Sequence, residues 1–103
     1  MFNYKKIKRE LFYEWAKLMP AIPESGGRAD SLICPSCTSQ DMGYIYIGNT
    51  DSRIGYSVVW CNHCLQAIHN SRLVIPENVK MYSFDDIQEI NDIIPENLTF
   101  LQP

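Results

Sequence analysis

The sequence predicts a small α+β fold, in which a three-stranded antiparallel sheet follows an N-terminal helix and precedes a short C-terminal helix. Three observations predict it. The four cysteines of the 103-residue chain form two Cys-x-x-Cys pairs, separated by residues 38–60. The residues between the two pairs alternate as strands do, and apolar residues recur at helical spacing towards both ends. We expect an amphipathic helix and linker at 1–31, the sheet at 32–72 and an acidic extension at 73–103.

The paired cysteines carry the strongest chemical signal. The first knuckle (34–37) reads Cys-Pro-Ser-Cys and the second knuckle (61–64) reads Cys-Asn-His-Cys. Each such turn directs two sulfur atoms at one point, so the two turns together offer four ligands to one metal ion. Thiolates favour zinc or iron over hard cations. We therefore predict one Zn²⁺ per chain, with iron as the alternative. The ligands would be Cys34, Cys37, Cys61 and Cys64.

Two strand candidates lie between the knuckles. Residues 43–47 and 54–60 are rich in β-branched and aromatic side chains, and the polar residues 48–53 indicate a turn between them. A third, short strand is expected at 65–68, directly after the second knuckle. The chain would then run through a knuckle, a hairpin, a knuckle and a closing strand.

This arrangement resembles a zinc ribbon, the rubredoxin-like class of small metal domains. The resemblance covers about residues 32–70, and Cys-Pro-Ser-Cys matches the frequent Cys-Pro-x-Cys knuckle of the class. Many zinc ribbons carry glycine directly after each cysteine pair, whereas this chain has Thr38 and Leu65 there. The resemblance implies a structural zinc site. It also implies, as one alternative for function, a nucleic-acid- or transcription-associated ribbon.

Apolar residues near the N-terminus recur every three or four positions, which predicts a helix over residues 3–19. Asn3 would cap this helix and Pro20 would end it. We expect the apolar stripe to pack on the sheet or on the C-terminal segment. The alternative is a partner-binding helix with Trp15 and Phe12 as anchors. The stripe consists of Tyr4, Ile7, Leu11, Trp15 and Leu18.

Aromatic residues of the predicted sheet could also form a binding surface. Tyr44 and Tyr46 share one face of their strand, and Trp60 lies on the next strand. If exposed, these rings could stack on nucleic-acid bases or contact a protein. We favour burial beneath the N-terminal helix.

The last third of the chain is acidic. Residues 77–103 contain six acidic residues and one lysine, a charge of −5, whereas residues 1–17 contain five basic and two acidic residues, a charge of +3. Ser83 is expected to cap a helix at about 84–93. An apolar stripe of Phe84, Ile87, Ile90 and Ile94 would hold this helix to the body of the protein. The polar face of that helix is predicted to bind a basic protein partner, a solvated helix being the alternative. This face consists of Asp85, Asp86, Glu89 and Asp92.

The tetrapeptide Ile-Pro-Glu-Asn occurs twice, at 75–78 and 94–97. Each copy is followed by apolar residues, and proline with asparagine favours a turn. We expect each copy to form a turn that leads into a short extended segment.

No catalytic constellation is evident, so we expect no enzymatic activity. Four thiolates leave no open coordination position on zinc, and neither a glycine-rich phosphate loop nor an H-E-x-x-H sequence is present. The formal net charge of −3 opposes binding to nucleic acid, and a zinc ion with four thiolates would make it more negative. By overall character the chain resembles bacterial immunity proteins and antitoxins, which neutralise a toxin by direct binding. We therefore expect a protein-binding module.

Composition indicates a folded, cytoplasmic chain. The hydrophobic fraction is 46% and the charged fraction is 20%, which is typical of globular proteins. We find no apolar run that could span a membrane and no secretory signal. Because cytosolic thiols stay reduced, a metal site is favoured over two disulfides.

Overall fold

The computed structural model describes residues 3–103, which form a small α+β fold around one mixed six-stranded sheet. The strands are β1 (Asn3–Lys6), β2 (Met42–Gly48), β3 (Ile54–Cys61), β4 (Gln66–Val74), β5 (Tyr82–Ser83) and β6 (Thr99–Gln102). The helices are α1 (Arg9–Ala16), α2 (Leu18–Glu24) and α3 (Ile87–Ile93). The strand order is β1-β6-β4-β3-β2-β5. The α+β class is confirmed, but the sheet is larger than the predicted three antiparallel strands.

The antiparallel unit β2–β3–β4 forms the centre of the sheet. β2 pairs with β3 from Met42↔Cys61 to Gly48↔Gly55, which confirms the predicted hairpin. β4 has nine residues and extends well beyond the predicted 65–68, because it pairs along almost the whole of β3. Residues 69–72 in the middle of β4 are polar and exposed, so the apolar pattern that indicated a strand at 65–68 is interrupted within the strand.

Short strands from the two ends of the chain widen this unit by parallel pairing. β6 lies beside β4, β1 lies beside β6, and β5 lies beside β2 on the opposite side. The helix predicted over residues 3–19 is therefore wrong at its start: Asn3 opens a strand instead of capping a helix. Pairing with β6 outweighs the local helical spacing, and Ile7 N–H continues the pairing with a hydrogen bond of 2.8 Å to Gln102 O.

The remainder of the predicted N-terminal helix is divided in two, and Pro20 does not end it. α1 gives way to α2 at Lys17. Pro20 is the third residue of α2, where a backbone N–H has no acceptor within the helix, so proline is tolerated there. None of the helices within residues 3–103 has the length and apolar character needed to cross a membrane.

Both faces of the sheet carry a hydrophobic core. The face beneath α1 and α2 confirms the predicted packing of the N-terminal stripe, apart from Tyr4, which lies on β1 and is exposed. This first core includes Trp15, Leu18, Ile22, Tyr46, Val59 and Ile68, with Ile7 and Leu11 packed against it. The opposite face, partly covered by α3, includes Ile45, Ile47, Val58, Trp60, Leu98 and Phe100.

The alternative of an exposed aromatic platform is wrong, because its rings lie within or against the two cores. Tyr46 and Trp60 are each 3% exposed, and Tyr44 is half-buried. Tyr46 lies beneath the N-terminal helices as expected. Trp60, in contrast, lies on the α3 side of the sheet.

α3 is shorter and less buried than predicted. It begins at Ile87 instead of residue 84, because only half of the expected capping box forms. Ser83 N–H donates to Asp86 Oδ2 at 2.9 Å, whereas Ser83 Oγ accepts from Asp85 N–H and not from Asp86 N–H. α3 contains no buried residue.

The two Ile-Pro-Glu-Asn segments behave as predicted. Turns at 77–78 and 96–97 lead into β5 and β6, respectively. The first copy is held by Arg53 at the tip of the β2–β3 hairpin. The Arg53 guanidinium donates to Ile75 O at 3.1 Å and to Pro76 O at 2.6 Å.

Candidate metal centre

The four cysteines converge where β3 ends and β4 begins. Their sulfur atoms all lie within 4.8 Å of one another, with Cys34 Sγ 3.7 Å from Cys64 Sγ and Cys37 Sγ 3.6 Å from Cys61 Sγ. A tetrahedron with metal–sulfur bonds of about 2.3 Å has edges of about 3.8 Å. All four are free thiols, which excludes the two-disulfide alternative for this structure. The predicted residues thus form one cluster that could hold a metal ion.

The two knuckles share one backbone geometry. Thr38 N–H donates to Cys34 O at 2.8 Å, and Leu65 N–H donates to Cys61 O at 2.9 Å. Thr38 and Leu65 have φ angles of 64° and 59°, in the left-handed region that favours glycine. These are the positions where zinc ribbons often carry glycine. The same turn therefore forms here with side chains that oppose it.

Backbone N–H groups surround the sulfur atoms in equivalent positions of the two knuckles. His63 N–H and Cys64 N–H donate to Cys61 Sγ at 3.4 Å and 3.5 Å. At the first knuckle, backbone hydrogen bonds from Cys37 and Ser36 act to lower the pKa of Cys34. Such donors stabilise a thiolate, which is the form that binds a metal ion.

At the inner part of the cluster, burial acts against these hydrogen bonds and favours the neutral thiol. It raises the pKa of Cys34 to about 12, and it also raises the pKa of Cys64. The backbone N–H of Ser39 lowers the pKa of the more accessible Cys37. A bound divalent cation would overcome the effect of burial and lower the pKa of these thiols, because a coordinated thiol is deprotonated. A buried cluster of thiolates therefore requires a positive charge at its centre.

Each knuckle is also tied to the body of the protein by a tryptophan. Trp15 Nε1 donates to Ser36 Oγ at 3.0 Å, and Trp60 Nε1 donates to Asn62 Oδ1 at 3.0 Å. Asn62 in turn donates from its side-chain nitrogen to Asp41 Oδ1 at 3.2 Å. Sequence reasoning missed these contacts. The Trp15–Ser36 and Asn62–Asp41 pairs are each 21 residues apart, and no local pattern links them.

The two histidines stand apart from the four-sulfur cluster. His63 is exposed within the second knuckle, and only its backbone contacts a cysteine sulfur. His69 is exposed on β4, where its ring lies edge-on to Phe100 with centroids 5.6 Å apart. Among residues 3–103, the cluster of potential metal ligands comprises the cysteines alone.

The predicted acidic face is only partly available to a partner. Asp85, Glu89 and Asp92 are exposed, although Asp92 Oδ1 accepts a hydrogen bond of 3.1 Å from Gln88. The Asp86 carboxylate is half-buried and accepts from Ser83 N–H. Within residues 3–103, the ion pairs are Lys17–Glu14 and Arg28–Asp30, so none joins this face to the basic N-terminal residues.

No family model, curated protein or solved structure matches this chain. Function must therefore be inferred from the cysteine cluster and from the chemistry of the surface.

Proposed function

We propose that the chain is a non-catalytic, zinc-stabilised module that binds another protein. The observation that carries this proposal is the cluster of four free cysteine sulfurs, which all lie within 4.8 Å of one another. Four protein ligands complete the coordination of zinc, which leaves no position for a catalytic water or a substrate. The ion would thus serve the fold and not a reaction. Cys34, Cys37, Cys61 and Cys64 would hold it.

The position of the cluster explains what a zinc ion would stabilise. The first knuckle lies in the segment 25–41, which contains no helix or strand, whereas the second knuckle joins β3 to β4. A shared ion would fasten this segment to the sheet, as in the zinc ribbons that the sequence resembles. Structural zinc sites contribute on the order of 10 kcal/mol to folding, and a chain of this size has a small core.

The exposed carboxylates on α3 and just before it support a protein partner with a basic surface. Asp85, Glu89 and Asp92 are accessible and take part in no ion pair among residues 3–103. An unpaired acidic face speeds encounter with a basic partner in a salt-dependent way. A cytoplasmic immunity protein or antitoxin fits this description, because its carboxylates would cover sites that a nuclease-like toxin uses for phosphate.

A nucleic-acid-binding ribbon is the second candidate, and two observations weigh against it. The rings of Tyr46 and Trp60 are buried and offer no stacking surface. The one arginine at the hairpin tip, Arg53, is engaged with two backbone carbonyls, and the chain as a whole is acidic. Binding to phosphates needs accessible cations, which this part of the protein lacks.

The decisive experiment measures how two variants of this chain bind the protein encoded by the adjacent gene. The test variant combines Asp85→Asn, Glu89→Gln and Asp92→Asn, and it spares Asp86 because that carboxylate holds the start of α3. A matched control neutralises Glu10, Glu24 and Asp51, which are exposed elsewhere. We expect a slower association rate and a weaker salt dependence for the test variant alone.

Identical association rates and salt dependence for both variants would remove α3 from the interface. Tight binding of the unmodified chain to DNA or RNA at physiological salt would instead favour the second candidate.

A further inference from the structure

A pocket of about 250 Å³ lies between α2 and the sheet and opens to solvent. Apolar side chains, three of them prolines, form most of its wall: Met19, Pro20, Pro23, Leu73, Val74 and Pro76. No charged side chain within residues 3–103 lines it. A site for one buried water needs only about 15 Å³, so this pocket has room for a small organic molecule.

Three polar side chains form a row along the sheet side of the pocket. Tyr46 pairs with Ser57 between β2 and β3, and Ser57 pairs with Asn70 between β3 and β4. Residues that lie directly opposite each other on paired strands share one face of the sheet, and all three line the pocket. Tyr46 and Ser57 are 3% and 1% exposed, whereas Asn70 is exposed.

The hydrogen-bonding capacity of this row is almost unused. Among residues 3–103, the Tyr46 hydroxyl and the Asn70 side-chain amide have no hydrogen-bond partner. The Ser57 hydroxyl donates only to Met19 Sδ, at 3.4 Å, and a thioether is a weak acceptor. In contrast, the hydroxyl of Tyr44 donates to Gly27 O at 2.5 Å. Because buried polar side chains are normally paired, the free Tyr46 hydroxyl indicates a site for an external partner.

The lining of the pocket defines the chemistry of that partner. Burial raises the pKa of Tyr46, which keeps its hydroxyl protonated and able to donate. Tyr46 and Ser57 can both donate to a carbonyl oxygen, and the Asn70 side chain can accept from an N–H group. A charged ligand would lose its hydration without gaining an ion pair. The apolar walls suit a ring, and the polar row suits an uncharged amide.

We propose that this pocket binds a small uncharged molecule that joins an apolar ring to an amide or a similar carbonyl group. The carbonyl oxygen accepts hydrogen bonds from Tyr46 and Ser57, and the ring packs between the prolines of α2 and Leu73.

This binding site goes beyond the proposed protein-binding function and does not depend on it. The pocket belongs to the core beneath α1 and α2, which includes Tyr46. α3 packs on the opposite face of the sheet through Ile90 and Ile94, whereas Phe84 and Ile87 of its expected apolar stripe are exposed. Failure of one proposal therefore leaves the other intact.

The test titrates four probes into the metal-loaded, full-length protein and follows its NMR amide signals. Benzamide is the uncharged amide. Benzoate and benzamidinium have nearly the same shape but carry a negative and a positive charge, and toluene lacks the polar group. We expect benzamide to bind with a dissociation constant of about 1 mM, as a ligand of this size does, and the others to bind at least about tenfold more weakly. Signals of Ser57, Asn70 and Leu73 should shift.

Two tyrosine variants separate ligand binding from stability. Tyr46→Phe should weaken benzamide binding at least about tenfold and leave the melting temperature unchanged, because its hydroxyl has no protein partner to lose. Tyr44→Phe is the matched control: it should lower the melting temperature, since Gly27 O loses its donor, and retain the affinity. Ser57→Ala is a second variant in the pocket and should also weaken binding.

Four results would overturn the inference. Benzamide could cause no shift at about 20 mM, well above the expected dissociation constant. Benzoate or benzamidinium could bind as tightly as benzamide, which would contradict the need for an uncharged ligand. Toluene could bind as tightly as benzamide, which would leave the polar row without a role. Tyr46→Phe and Ser57→Ala could both retain the affinity of the unmodified chain, which would place benzamide elsewhere.

Discussion

The indole nitrogen of Trp15 donates a hydrogen bond of 3.0 Å to the hydroxyl of Ser36, which joins α1 to the first knuckle. Trp15 is fully buried in the core beneath α1 and α2. The packing of the N-terminal helix and the conformation of the candidate metal site are therefore linked by one contact. Substitution of either residue should therefore affect both the packing of α1 and the conformation of the first knuckle.

We predict that Ser36→Ala lowers the free energy of unfolding by about 1 kcal/mol, because the buried indole N–H loses its acceptor. Ser31→Ala, at an exposed serine of the same segment, is the control. Trp15→Ala should cost about 3–5 kcal/mol through loss of core packing. Denaturant unfolding measures all three. Negligible loss in Trp15→Ala, combined with loss of partner binding, would show that α1 is an interface and not a core helix.

Backbone strain after the first knuckle gives a second prediction. Thr38 has a φ of 64°, which is costly for a β-branched residue. Thr38→Gly and Thr38→Ala both remove the hydroxyl, but only glycine removes the Cβ atom that opposes this conformation. We expect the glycine variant to be more stable than the alanine variant by about 1 kcal/mol in thermal unfolding. Equal stability of the two variants would show that the backbone at Thr38 is not strained.

Close approach of β2 to Trp60 gives a third prediction. Gly43 pairs with Trp60 across the strands, and a Cβ atom added at Gly43 would lie 2.6 Å from the indole ring. Gly43→Ala should therefore destabilise the protein by about 1–3 kcal/mol, because the buried ring must move. The penalty should shrink in a Trp60→Phe background, where the contacted indole atoms are missing. An unchanged penalty in that background would assign the effect to the backbone of β2.

Local sequence patterns predicted the elements that owe their structure to neighbouring residues. The alternation in residues 43–47 and 54–60 identified β2 and β3, and the cysteine spacing identified the cluster. In contrast, β1 and β6 have four residues each and exist through parallel pairing with each other and, for β6, with β4. Asn3 and Tyr4 fit a helical pattern as well as a strand, so only the distant partner decides between them.

In the metal site, too, the local turns could be predicted from the sequence, whereas the long-range contacts could not. The glycine positions of zinc ribbons marked the tight turns, although this chain places Thr38 and Leu65 there. The contacts that hold the knuckles, Trp15 to Ser36 and Asn62 to Asp41, cross long stretches of chain and leave no periodic signal. The exposure of Ile87 was also missed, since helical spacing shows which residues share a face but not how much of that face is covered.

Loss of one ligand gives a fourth prediction. Cys61→Ser should abolish stoichiometric metal binding and lower the thermal stability sharply, because a structural ion contributes directly to folding. His63→Ala is the matched control from the same knuckle, as its side chain lies outside the cluster and its backbone contact to Cys61 Sγ is retained. We expect the control to keep both its metal and its stability. A Cys61→Ser variant with unchanged metal content would show that the cluster is not the binding site.

Elemental analysis of freshly purified, reduced protein tests the central claim most directly. The four cysteine sulfurs lie close enough to share one ion, and the proposed function assigns that ion to the fold. We predict one zinc ion per chain, retained through gel filtration. Protein that is folded and monodisperse but contains neither zinc nor iron would contradict the account.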